Sequence, residues 1–249
     1  MNPKPAGRIV AVASGKGGVG KTWFAITLAH ALTRAGGKVL LVDWDLGLAN
    51  LDVQLGLLPS CDLAGVLRAR LPLRQAVQHH PTGFDVLAGS SGTGLLAAVD
   101  ADAIAFLMAA LRELAAGYDH VICDLAAGLE PPVRRMAAFA DQLLVVATDE
   151  PTSLTDAYAV LKLHHQDAGA ADRARIVVNR AKSASTGART YATLSRACQN
   201  FLGHTPDLAG VIRHDDRVPD AIRRQVPFLA RHPNSPAATD VEALAARLG

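Results

Sequence analysis

The sequence predicts an α/β fold with a doubly wound, mainly parallel β-sheet flanked by helices. Short apolar segments alternate with longer helical patterns along all 249 residues, as in successive βαβ units. The apolar segments are continuous runs of Val, Ile and Leu, which is typical of strands covered on both faces. Half of the chain is hydrophobic and only 4% is aromatic, so helices on a sheet fit better than an aromatic-rich β-sandwich.

The predicted elements follow one another in a regular order. Strands are predicted at residues 8–13, 38–43, 84–88, 120–124, 142–147, 175–179 and 208–212. Helical patterns cover residues 21–35, 102–116, 132–140, 153–166 and 187–202. Residues 59–81, punctuated by prolines, are expected to form short surface helices. Because no internal repeat or linker divides the chain, we expect a single domain over residues 1–249.

Composition excludes several classes of protein. The net charge of +2 is too small to indicate nucleic-acid binding, and the three scattered cysteines form no CxxC pair for zinc or an iron–sulfur cluster. The first ten residues lack the apolar run of a signal peptide, and we see no stretch of about 18 apolar residues. We therefore expect a cytoplasmic protein. The adjacent histidine pairs 79–80 and 164–165 are not expected to chelate a metal, since neighbours on a helix point about 100° apart, and we expect them at the surface.

A glycine-rich segment directly after the first strand predicts a phosphate site. Residues 15–22 read GKGGVGKT and fit GxxxxGK[ST] in full, between a strand and a helix. Glycines let successive backbone N–H groups surround an anion, and the helix adds the positive end of its dipole. Lys21 is expected to reach the β- and γ-phosphates of ATP, and the Thr22 hydroxyl to ligate Mg²⁺. The predicted nucleotide contacts are Gly15, Gly17, Gly18, Val19, Gly20, Lys21, Thr22 and Trp23.

Carboxylates at two strand ends complete the predicted site. Asp124 ends an apolar strand, where P-loop proteins place the aspartate that supports magnesium. Asp43 and Asp45 end the second strand, and we predict Asp43 in the metal shell and Asp45 as the catalytic residue that orients water. Aspartates also commonly cap the following turn. Lys16 is an additional lysine inside the P-loop, which either is solvated or crosses a two-fold interface to the phosphates of a partner.

These segments resemble the MinD/ParA superfamily of ATPases, which carry a deviant Walker A motif. The P-loop GKGGVGKT, the segment DWDLGLANLDVQLGL and the segment CDLAAGLE are similar to the Walker A, switch I, and Walker B with switch II regions of that superfamily. The segments DEPTSLTDAYAVLKL, VVNRAKSASTG and RRQVPFLARHPNSPAA look like the flagellar number regulators called FlhG or FleN. The resemblance extends over residues 8–248.

The resemblance implies an ATPase that forms a homodimer when it binds ATP. Lys16 would then contact the partner's phosphates, and Lys16, Lys21 and Asp45 would carry slow hydrolysis. Asn179 matches the residue that hydrogen-bonds adenine, and Arg180 would flank the base. Trp23 and Trp44 depart from the pattern, because relatives carry smaller residues there.

The resemblance also suggests partners and two alternative functions. Expected partners are an FlhF-like GTPase, flagellar basal-body proteins or a flagellar transcription activator. The segment before the first strand lacks the DQAxxLR motif by which relatives stimulate that GTPase, so such stimulation is not expected. The alternatives are a ParA-type protein that positions cargo on DNA and an interaction module that binds nucleotide without hydrolysis.

Two surface features bear on these alternatives. A basic cluster could touch DNA phosphates without sequence specificity; it comprises Arg213, Arg217, Arg223, Arg224 and Arg231. The final segment places Val241, Leu244 and Leu248 on one helical face, which is short and poor in basic residues for a membrane anchor. We expect a helix packed on the domain and no stable membrane binding, with peripheral association at the inner membrane or cell pole left open.

Overall fold

A computed structural model describes residues 7–89, 101–169 and 173–248. Within these residues, eight strands form one sheet in the order β3-β4-β2-β5-β1-β6-β7-β8. The strands are β1 Arg8–Ala13, β2 Val39–Trp44, β3 Val77–His79, β4 Asp85–Leu87, β5 His120–Leu125, β6 Gln142–Ala147, β7 Ala174–Ala181 and β8 Asp207–Arg213. The helices are α1 Lys21–Arg34, α2 Leu51–Leu55, α3 Leu63–Ala69, α4 Ala101–Ala115, α5 Pro131–Phe139, α6 Pro151–Ala168, α7 Ala184–Leu202, α8 Val218–Arg223, α9 Phe228–Arg231 and α10 Pro236–Ala245.

The predicted doubly wound sheet is confirmed. Every pairing except β3 with β4 is parallel. The central strands are buried along almost their whole length, because helices cover both faces. One face packs against α1, α2 and α8–α10, and the other against α3–α7.

The strand order brings the predicted site residues to one edge of the sheet. Strand β5 lies between β2 and β1, and in the register Asp124 pairs with both Val12 and Asp43. Carboxyl ends of parallel strands meet at the same edge, where α/β sheets bind ligands. The loops that follow β1, β2 and β5 therefore converge.

The irregular region between β2 and β4 differs in part from the prediction. Short helices occur as expected: α3 and a 3₁₀ turn at Leu73–Ala76. However, Leu63, Val66 and Leu73 are buried in the main core, so these helices are not merely surface structure. The region also contains the antiparallel strand β3, which the apolar pattern missed because its sequence, VQH, holds a single apolar residue.

The expectation for the histidine pairs was wrong for one member of each. His80 and His164 are 5% and 4% exposed, whereas their neighbours are more accessible. The His80 ring stacks on Phe84 with centroids 4.8 Å apart. Adjacent side chains point to different sides of an element, so one histidine of each pair faces the core.

The final helix packs on the domain, as expected. Val241, Leu244 and Leu248 are at most 3% exposed and belong to the core between α1, β8 and α10. Among the described residues, no helix has the length and apolar content needed to cross a membrane.

Candidate functional site

The loop between β1 and α1 has the backbone of a phosphate cradle. Gly18 and Gly20 adopt φ of 81° and 88°, a region that favours glycine. A Cβ atom added at Gly17 or Gly18 would meet nothing within 4 Å, so the loop faces open space. No side chain caps the first turn of α1 and no acidic residue lies in it, which leaves amide donors for an anion.

The two charged groups at the base of the loop are already paired. Lys21 Nζ donates to Asp124 Oδ1 at 2.6 Å, and both side chains are nearly inaccessible, at 10% and 2% exposure. Burial raises the pKa of Asp124, while the Lys21 ammonium and the neighbouring Thr22 hydroxyl favour the charged carboxylate and oppose that rise. The predicted phosphate ligand Lys21 and two of the three predicted metal ligands, Thr22 and Asp124, are thus close together.

An open cleft of about 440 Å³ lies above this group. The predicted residues that line it are Gly17, Gly18, Gly20, Lys21, Thr22, Trp23, Asp45 and Asp124. The other predicted residues are not among those that line the cleft; they are Gly15, Lys16, Val19, Asp43, Asn179 and Arg180.

The two aspartates after β2 both organise the loop that follows. Asp43 is buried and accepts hydrogen bonds from three backbone amides, those of Asp45, Asn50 and Leu51, at 3.0–3.1 Å. Asp45 accepts from the amides of Gly47 and Leu48 at 3.2 and 2.9 Å, yet it also lines the cleft. Burial and the nearby Asp124 charge raise the pKa of Asp43 to about 7. Both aspartates therefore cap the turn, and their metal and catalytic roles stay predictions.

Lys16 points away from its own cleft. Its Nζ lies 2.9 Å from Glu150 Oε2 and 3.0 Å from Thr152 Oγ1, at the start of α6. Its side chain is 40% exposed. The two lysines of the P-loop thus face different surroundings: Lys21 the buried site, and Lys16 the outer surface.

Asn179 contacts the P-loop from behind. Its Nδ2 donates to the carbonyl oxygen of Val19 at 2.8 Å, and the residue is 3% exposed. The register of β7 against β8 shifts between Val178 and Ala181, and Arg180 adopts a φ of 56°. Such irregularities re-aim side chains at strand ends. The predicted contact of Asn179 and Arg180 with adenine stays a prediction.

The two tryptophans are core residues. Trp23 is 6% exposed and packs edge to face on Phe228, with ring centroids 5.3 Å apart. Trp44 is 1% exposed on the opposite face of the sheet. Trp23 also borders the cleft, so it connects the site to the C-terminal segment that contains Phe228.

Sequence reasoning missed several residues of the site. Asn50, Gln54 and Ile222 line the cleft, and Glu150 with Thr152 holds Lys16. Their signal in the sequence is weak, because they come from distant segments and form no motif of their own. The spacing of Asp45 and Asn50 in one loop was the available hint for Asn50.

The fold and the cleft together define a P-loop nucleotide-binding protein. Residues 10–228 match the family described as the CobQ/CobB/MinD/ParA nucleotide binding domain, and the chain belongs to this family. It is an ATPase of the MinD/ParA type, which confirms the fold class and the superfamily inferred from the motifs.

Individual relatives cover nearly the whole chain. The antiactivator FleN of Pseudomonas aeruginosa is 37% identical over 241 residues, covering 97% of this chain and 86% of that protein. The cell division ATPase MinD of Pyrococcus furiosus has a similar structure, with a TM-score of 0.82 and 26% identity over 97% of this chain and 98% of that chain. The septum site-determining protein MinD of Pyrococcus horikoshii, solved in complex with Mg-ADP, has a TM-score of 0.80 and 26% sequence identity. The match covers 97% of this chain and 95% of that chain.

Proposed function

We propose that this protein binds ATP with Mg²⁺, dimerises around it, and regulates the number or placement of flagella through a partner protein. The main observation that supports the dimer is that the two P-loop lysines point in different directions. Lys21 is buried against Asp124, whereas Lys16 reaches the outer surface beside Glu150. A cation on the rim can serve the phosphates of a second molecule across a two-fold axis.

The residues present fit ATP and Mg²⁺. The open space over Gly17 and Gly18, together with the uncapped start of α1, suits phosphate oxygens. Thr22 and Asp124 supply the hydroxyl and carboxylate that P-loop proteins use around magnesium. When bound, the metal would neutralise charge on the phosphates. To bind the phosphates, Lys21 has to release the Asp124 carboxylate and contact phosphate oxygens instead.

Asp45 is the proposed residue for hydrolysis. It lines the cleft and is half-buried, so its carboxylate can accept a hydrogen bond from a water molecule near the phosphates. Its present bonds go to amides of its own loop. A modest change of that loop would free the carboxylate, and the need for this change predicts slow turnover.

The test of the dimer uses three single variants in light scattering and nucleotide-binding measurements. Lys16→Ala should abolish ATP-dependent dimerisation and leave nucleotide binding by the monomer largely intact. Asp45→Ala should retain the dimer and lose hydrolysis. Lys162→Ala, an exposed lysine on α6, is the matched control and should behave as the wild type. A Lys16→Ala protein that still dimerises with ATP would refute the cross-interface role.

The flagellar assignment is supported by the 37% identity to FleN over 97% of the chain. Because that relative is an antiactivator, we favour a flagellar transcription activator over an FlhF-like GTPase or basal-body protein as the partner. The Asp45→Ala protein should retain the purified activator in a pull-down with ATP and release it with ADP. Retention of the GTPase or of a basal-body protein instead would reassign the partner.

The DNA-positioning alternative has little support in the basic cluster. Arg213 pairs with Asp240, Arg217 with Asp215, and both Arg224 and Arg231 with Asp220. Paired arginines offer less charge to phosphates. A shift of DNA by this protein in a gel at low salt with ATP would support this alternative.

A further inference from the structure

A second cleft, of about 600 Å³, lies at the opposite edge of the sheet from the P-loop. It is bordered by Lys38, which precedes β2, by Tyr118, which precedes β5, by the turn after α3, and by α4. Amino-terminal ends of parallel strands lie at the edge away from the nucleotide. A ligand here would leave both the nucleotide cleft and the proposed dimer face accessible.

The charge around this cleft is mainly positive, with three cations and the one carboxylate of Glu113 among its described lining residues. Lys38, Arg70 and Arg74 border it and are exposed, and no salt bridge involves any of them within the described residues. The Lys38 ammonium lies 4.8 Å from the centroid of the Tyr118 ring. Many arginines elsewhere in the described chain do have carboxylate partners, among them Arg112, Arg134, Arg213, Arg217, Arg224 and Arg231. Unpaired, neighbouring cations attract an external anion.

The wall of the cleft is apolar. Phe106 on α4 is 49% exposed and presents an aromatic surface to the cleft. Leu71 and Leu114 are half-buried beside it. An exposed aromatic side chain next to cations is the composition of a binding hot spot, where a partner's apolar side chain is anchored.

The backbone at Arg70 supports a role for that side chain. Arg70 ends α3 with a φ of 50°, a left-handed conformation that glycine adopts more easily. The amide of Leu71 donates to the carbonyl of Val66 at 3.1 Å, which closes the helix end in the way glycine usually does. Keeping arginine at such a position is unfavourable for the fold alone, which points to a use for its charge.

We propose that this cleft binds an acidic peptide segment of a partner protein, with one apolar side chain of the segment seated against Phe106. The cleft also has one acidic residue at its border, Glu113, and this carboxylate favours a peptide over other kinds of anionic ligand. A uniformly negative surface such as a lipid layer or a nucleic acid would meet that carboxylate unfavourably. A peptide can place its acids on the arginines and an apolar or basic side chain near Glu113.

The experiment uses the whole protein as bait for phage-displayed random peptides of about twelve residues. Selected peptides should be acidic and contain at least one Leu, Ile or aromatic residue, and one of them is then measured by fluorescence anisotropy. The double variant Arg70→Glu with Arg74→Glu should weaken that peptide's binding at least about tenfold, and Phe106→Ser should weaken it as well. Binding should also weaken between about 50 and 300 mM NaCl.

Two controls separate lost contacts from lost folding. Arg189→Glu with Arg196→Glu reverses the same charge on exposed positions of α7 and should leave peptide binding within about twofold. Arg70→Gly relieves the left-handed backbone, so Tm should be unchanged or higher while peptide binding weakens. ATP hydrolysis should be unchanged in all these variants, so this test is independent of the proposed function.

Three outcomes would overturn the proposal. Selected peptides without acidic residues would do so, as would acidic peptides that bind the Arg70→Glu, Arg74→Glu protein as well as the wild type. Binding of anionic phospholipid vesicles that is lost in the same variants, with no peptide selected, would assign the cleft to a membrane surface instead.

Discussion

The buried pair of Lys21 and Asp124 should dominate the stability of the nucleotide-free protein around the site. Asp124→Asn removes the only charge that Lys21 Nζ contacts, at 2.6 Å, among the described hydrogen bonds and ion pairs. Leaving one member of a buried pair without its partner costs about 3–5 kcal/mol. We expect a loss of about 3 kcal/mol for Asp124→Asn, and a similar loss for Lys21→Met at pH 8.

The double variant Lys21→Met with Asp124→Asn should lose much less than the sum of the two single losses. Neither change then leaves a buried charge alone, so the coupling energy should be about 2–3 kcal/mol. Urea unfolding of the four proteins without nucleotide measures it. An additive cycle, with coupling below about 0.5 kcal/mol, would refute the view that the pair is held as a buried ion pair.

The pH dependence gives a second test of the same reasoning. Burial raises the pKa of Asp124, and Lys21 opposes that rise. In Lys21→Met the folded pKa therefore lies further above the unfolded value, so stability is fully present at low pH and is lost as pH rises through the folded pKa. The penalty of Lys21→Met should be larger at pH 8 than at pH 5, and the reverse order would contradict the assignment.

Further predictions concern the core. Phe228→Ala should lower the free energy of unfolding by about 4 kcal/mol, because it opens a cavity and removes the edge-to-face contact with Trp23; urea unfolding and a red shift of Trp23 emission measure both effects. Gly187→Ala should cost about 2 kcal/mol in the same assay, since its Cβ would approach Val211 Cγ1 to 2.2 Å; no loss would mean that α7 shifts freely. His30 has a pKa lowered to about 4 by burial, so its stability contribution is present above its unfolded value of 6.5 and is lost as pH falls. His30→Leu should therefore reduce the stability lost between pH 7.5 and pH 5 by about 2 kcal/mol, and an unchanged difference would contradict a buried neutral imidazole.

The sequence by itself determined the sheet, the nucleotide site and the family. Apolar runs and helical periodicity are local signals, and they predicted every described strand except β3 to within a few residues. The P-loop motif was equally visible, because its glycines, Lys21 and Thr22 are adjacent in the chain, although their individual roles stay predictions. Asp124 could be placed beside them since parallel strands end at one edge of a sheet.

Only the tertiary structure decided how the remaining residues are used. Both carboxylate oxygens of Asp43 accept hydrogen bonds from backbone amides, and this depends on the path of the loop after β2. The pairing of Lys16 with Glu150 joins residues 134 positions apart, and no spacing rule reports such contacts. Arg70 and Lys38 likewise share a cleft through long-range packing, where charge, burial and backbone strain are set by the whole fold.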